Sequence, residues 1–170
     1  MKLIVIGNIV ALFASALMAA IGLIKDRKKI IGAQCGVHTL FVIANFLLGG
    51  ISGAIANILS LVRNIVCIKW KLTLWFKLLF LAIQLALTVI FNREGALGYL
   101  PVAAACGYTF LMDVKDAVKL KLLIMACQAL WAVYDIVIRN YTGFAFDLLT
   151  IVLNAVGIVM ILKGKKEREA

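Results

Sequence analysis

SGAIANILSLVRN, residues 52–64, lies inside a long apolar run and still carries two serines, two asparagines and an arginine. Ninety residues on, TGFAFDLLTIVLN (142–154) has the same layout. Gly53, Asn57, Ser60 and Asn64 recur at spacings of four, three and four, which puts them on one face of a helix. Gly143, Asp147, Thr150 and Asn154 repeat that stripe. Polar side chains are costly in such surroundings, so a stripe used twice points to one architectural unit used twice.

Sliding the chain against itself by ninety extends the match without a gap from Ala11 to Ile68, with 11 of 58 positions identical. Apolar helices share roughly a tenth by composition alone, so identity is the weaker part of the argument. The polar correspondences are the stronger part. His38 meets Gln128, Phe41 meets Trp131, Asn45 meets Asp135, Asn57 meets Asp147, and Ser60 meets Thr150.

Of the 170 residues, 65% are apolar, against about half in a soluble domain. Seven apolar segments, about 3–24, 30–49, 51–68, 72–91, 96–113, 118–138 and 142–163, each reach about the length that crosses a ~30 Å hydrocarbon core. The joints KDRKK, KWK and DVKDAVK, Lys121 just after the last of them, and the end of the chain hold thirteen Lys/Arg; the opposite side holds Lys2, Arg93 and Arg139. The net charge of +10 therefore marks topology, with the N-terminus outside and the C-terminus in the cytoplasm, rather than a nucleic-acid surface. Cys35, Cys67, Cys106 and Cys127 form no CxxC pattern, so neither a disulfide framework nor a zinc site is expected. Ala14-Ser15-Ala16 resembles a signal cleavage site, but the apolar run continues to Ile24 and reads as the first spanning helix.

The expected fold is an all-α membrane protein of seven transmembrane helices. Two parallel three-helix-bundle repeats, 1–71 and 95–170, are joined by a linker helix within 72–94, a 3+1+3 plan. Joined directly, units of three helices would be inverted; the single linker helix restores the parallel sense.

At 1.5 Å per residue, Phe41, Asn57, Trp131 and Asp147 fall near the middle of their helices. Two aromatics and an amide–acid pair suit a small polar solute: the faces pack ring surfaces while the amide and acid fix hydroxyls or amines. His38, Asn45, Gln128 and Asp135 form a second ring around them, and Asn64 and Asn154 extend the stripes. Asn64, Asn154, Ser60 and Thr150 suit interhelical bonding equally well, and Gly53 and Gly143 suit close helix approach. Taken singly, Trp131 and Phe41 read as packing and His38 as a satisfied bundle histidine. Asp135 and Asp147 need protein or water around them. Arg63 and Lys77 lie near the cytoplasmic ends of their segments; snorkelling is the plain reading for Lys77 and snorkelling or structural pairing for Arg63, which could also neutralise an acid such as Asp113 or gate the inner mouth.

FLLGG (46–50), the Gly53-to-Arg63 stretch, LWAVYD (130–135) and VLN (152–154) resemble the YgjV family of bacterial inner-membrane proteins. The 3+1+3 pattern also resembles the wider SWEET and SemiSWEET superfamily (the PQ-loop group). That resemblance implies a sugar-carrier architecture in which an aromatic and an asparagine meet at the substrate, in the places held by Phe41 with Asn57 and Trp131 with Asp147. The chain departs from it in two respects. No Pro-Gln pair stands late in the first or fifth segment, and Asp147 stands where the second amide would be.

The function expected is a facilitator or proton-coupled carrier for a small polar solute such as a sugar, acting by alternating access. The alternative is a non-transporting receptor or scaffold on the same fold. An enzyme is not expected, because no HExxH, GxSxG or acid cluster is present. No catalytic residue, metal or cofactor is expected. The partners implied are a solute and the lipid bilayer, with no nucleic acid, and the sequence leaves room for a homo-oligomer.

Overall fold

The computed structural model describes residues 2–21, 27–70, 73–111 and 117–169. The joints at 22–26, 71–72 and 112–116, with Lys25, Asp26, Lys71, Asp113, Lys115 and Asp116, lie outside the described residues.

The described chain is helical, with no strand among those residues. The helices are α1 (Lys2–Ile21), α2 (Arg27–Leu48), α3 (Ile51–Lys69), α4 (Leu74–Phe91), α5 (Leu100–Leu111), α6 (Ala117–Val137) and α7 (Tyr141–Glu169). In apolar surroundings the backbone must satisfy its own polar groups, and helix does so within each segment. Ile31–Leu48, Leu74–Phe91 and Tyr141–Gly164 are long and apolar enough to cross a membrane; Lys2–Met18, Ile51–Val66 and Gly95–Leu111 are shorter apolar stretches.

Two boundaries differ from expectation. The fifth segment opens as a 3-10 turn, Gly95–Tyr99, before α5 begins at Leu100. Gly95 has φ +63°, which an α-helix cannot contain, and Pro101 then occupies the second α-helical position, where its missing N–H is harmless. The seventh helix does not stop at 163 but runs 29 residues to Glu169, about 43 Å, because nothing after Gly164 breaks it.

The packing order defines a ring. α1 packs on α2, α2 on α3, α3 on α5, α5 on α6, α6 on α7, and α7 back on α1. α4 stands outside the ring against α3 and α5. Its outer face carries Leu74, Trp75, Val89 and Ile90, all exposed as a lipid-facing helix requires.

One end of the ring is tied together by polar contacts. Asn8 of α1 donates to the Arg139 carbonyl (2.9 Å) and accepts from the Thr142 N–H (3.1 Å). Glu94 accepts from the Ile51 N–H (2.7 Å) and from the Ser52 hydroxyl, so the link after α4 caps the start of α3. Both hairpin turns lie at this end, and they have the same backbone form. Gly49 (φ +80°) and Arg139 (φ +61°) take the left-handed position, and the next amide, of Gly50 or Asn140, bonds back to the carbonyl of Asn45 or Asp135 at 2.8 Å. A Cβ at Gly49 would meet nothing within 4 Å, so Gly49→Ala isolates the backbone cost. The expected loss is about 1 kcal/mol, read as a lower thermal midpoint of the purified protein.

Candidate solute-binding site

A cavity of about 480 Å³ occupies the middle of the ring. All six ring helices line it and α4 does not. Along α7 the lining runs from Gly143 to Asn154, eleven residues or about 16 Å. Of the ten residues expected to bind solute, nine line this cavity: Phe41, His38 and Asn45 from α2, Asn57 from α3, Gln128, Trp131 and Asp135 from α6, and Asp147 and Asn154 from α7. Arg63 lines it too, while Asn64 is buried beside it without reaching the lining.

The direct polar contacts join the amide and the acid to the second ring, not to the aromatics. His38 Nδ1 lies 2.9 Å from Asn57 Oδ1, and Gln128 Nε2 donates to Asp147 Oδ1 at 3.0 Å. Both pairs bridge residues nineteen apart, across α2–α3 in one case and α6–α7 in the other. An amide oxygen only accepts, so His38 Nδ1 is the donor in the first pair. Trp131 packs edge-on against Tyr134, with ring centroids 5.9 Å apart.

Towards the tied end the lining stops at Asn45, Asp135, Asn140 and Gly143. Asn140 precedes α7, accepts from the Gly143 N–H (3.0 Å) and donates to Asp135 Oδ2 (3.0 Å). It is an asparagine N-cap with an acid behind it. The position ninety earlier is Gly50, which has no side chain to cap α3. The Gly53 N–H is instead taken by the Tyr134 hydroxyl from α6, at 2.9 Å. Tyr134 is 0% exposed, and its hydroxyl occupies the space a side chain at Gly50 would fill. Sequence reasoning missed both capping residues. The Asn-x-x-Gly pattern of 140–143 carries a signal for the first; nothing local signals the second.

A family model described as a bacterial inner-membrane protein family, Imp-YgjV, matches residues 5–165. The chain belongs to the YgjV family. It is accordingly a protein of the bacterial inner membrane, with the lipid bilayer as its surroundings. No curated protein and no solved structure matches it.

In this YgjV-family chain the two bases within apolar helices, Arg63 and Lys77, are buried. Arg63 donates to Thr109 Oγ1 (2.9 Å) and Asn64 Oδ1 (3.2 Å) and sits 5.6 Å from the centre of the Tyr108 ring. It thus ties α3 to α5. Lys77 of α4 is likewise buried, with Nζ 3.4 Å from the Phe110 carbonyl at the end of α5, where a helix's free carbonyls favour a cation. Asn64 joins α3 to α2 through Gln34 Oε1 (3.3 Å), while Asn154 and Thr150 bond to carbonyls of their own helix. Among the described residues no group of three or more His, Cys, Asp or Glu is arranged to hold a metal.

Proposed function

We propose that this YgjV-family protein is a carrier for a small polar solute and not an enzyme, and that the solute binds among Trp131, Phe41, Asn57 and Asp147. The observation that carries the reading is the central cavity of about 480 Å³, lined by all six ring helices and polar at mid-height. A pocket of this size and lining, between helices of a bundle, has the properties of a ligand site. The plan we infer is two parallel three-helix units, α1–α3 and α5–α7, joined by α4, with all seven helices crossing the membrane. The like turns at Gly49 and Arg139 support it, as do the like pairs His38–Asn57 and Gln128–Asp147. Placement in the SWEET and SemiSWEET superfamily follows as part of the same proposal, with a sugar as one solute of the class.

With the basic joints in the cytoplasm, the tied end of the ring faces outward. The geometry then suits a carrier resting with its outer side closed, and transport requires the α3–α6 and α1–α7 contacts at that end to part. A receptor held permanently closed on the outside is the second reading, favoured by how many polar contacts bind that end. Solute uptake by cells expressing the protein separates the two. For a carrier, uptake is expected to fall by about tenfold or more in Asp147→Asn and in Asn57→Ala. A transported solute unaffected by both changes rules out this site; a bound solute that is never moved favours the receptor.

A further inference from the structure

Resting on the reading of the cavity as a solute site, its hydrogen-bonding character narrows the solute. Six carboxamides line its wall: Asn45, Asn57, Gln128, Asn140 and Asn154 each direct one N–H at a protein oxygen, and Gln34 Oε1 accepts from Asn64. Two oxygens stand apart from these bonds. Asp147 Oδ2 and Asn45 Oδ1 are both buried and have no hydrogen-bond partner among the described residues. Asn45 is only 2% exposed, so bulk water does not satisfy that oxygen. His38, with its Nδ1–H given to Asn57, turns an Nε2 acceptor outward from the pair when neutral.

Charge points the same way. The wall holds two carboxylic acids, Asp135 and Asp147, against one base, Arg63. Arg63 lies ninety before Leu153, six residues or about 9 Å along the helix from the level of Asp147, and its guanidinium is engaged with Thr109, Asn64 and the Tyr108 ring. Asp135 already receives the Asn140 amide. Asp147 is thus the acid with an oxygen left without a donor among the described residues, on the wall of a cavity that Trp131 and Phe41 also line.

A buried acceptor without a donor is costly, and an acid away from water gains most from a cation. A neutral polyol would bring no counter-charge to that acid. An ammonium brings donors and charge only, and aromatic faces add cation–π attraction.

We infer that the solute is a small organic cation, its ammonium group held at Asp147 Oδ2 in the ring cavity and its carbon skeleton against Trp131 and Phe41.

The experiment uses the full-length purified protein and calorimetric titration with 2-phenylethylamine, putrescine and choline, set against the neutral 2-phenylethanol and glucose. At least one cation is expected to bind, about tenfold or more tightly than either neutral probe, and Asp147→Asn is expected to remove that preference. Equal binding of 2-phenylethanol and 2-phenylethylamine, preference for glucose, binding unchanged in Asp147→Asn, or no cation bound at all would overturn the inference. If Asp147→Asn does not fold, the amine–alcohol comparison on the unaltered protein decides by itself. Counterflow in proteoliposomes separates this inference from the carrier reading. A cation that binds without counterflow leaves the inference standing and removes the carrier; counterflow of glucose without any cation keeps the carrier and removes the cation.

Discussion

Gly143→Ala is expected to abolish most of the folded protein, with a loss of about 3 kcal/mol or more. A Cβ built at Gly143 falls on the Asp135 carboxylate and on the Asn140 amide. Asp135 and Asn140 are buried and hold each other at 3.0 Å, and Asn140 also caps α7 through the Gly143 N–H, so making room for a Cβ means turning these side chains into the cavity and giving up those bonds. Overpacking of a tight site costs about 1–3 kcal/mol, and a lost cap adds about 1 more. The check is yield and thermal midpoint in detergent, beside Gly107→Ala, where a Cβ meets nothing within 4 Å and little change is expected. A Gly143→Ala protein as stable as that control would mean α6 and α7 do not approach as described.

Tyr134→Phe is expected to remove the one hydrogen bond that caps α3 from α6. The ring and its packing against Trp131 remain, so the change isolates the hydroxyl. The Gly53 N–H is then buried with no acceptor, at a cost of about 1–3 kcal/mol. Two readouts follow. The thermal midpoint falls, and hydrogen exchange quickens at the Gly53 amide while the Gly143 amide, capped by Asn140 within its own half, keeps its protection. In a carrier whose outer side opens by parting these helices, the same change shifts the population toward the outward-open form. If the two amides respond alike, the capping is not divided between the halves in this way.

Much of this fold is legible in the residues themselves. Apolar length gives the helices, and Gly49-Gly50 and Arg139-Asn140 mark the hairpins, within a few residues of the observed ends. The errors at Gly95 and Glu169 have local causes, a left-handed glycine that breaks an apolar run and a basic stretch that does not break a helix. The polar stripes were legible for the same reason: a 3.6-residue period fixes which side chains share a face. Nine of ten expected residues therefore reach one cavity.

What the period cannot give is the neighbour across the gap. Trp131 and Asp147 share a level and a cavity, yet the bond to Asp147 comes from Gln128, because the meeting atoms depend on how α6 crosses α7. The partners of Arg63 and Lys77 were not legible, because a sequence shows the end of a helix but not the carbonyls and hydroxyls of the helix beside it.

The sequence alone determined that the chain is helical and apolar enough for a membrane, and that its polar residues recur ninety positions apart. These properties are local or periodic, set by each residue's own solvation and by helical geometry. Only the tertiary structure decided that six helices close a ring with α4 outside it, that Tyr134 of α6 completes the cap that Gly50 cannot, and which buried oxygens are left without a donor. Each of these depends on distances between segments far apart in the chain, where packing, and not the preference of any residue, chooses the partner.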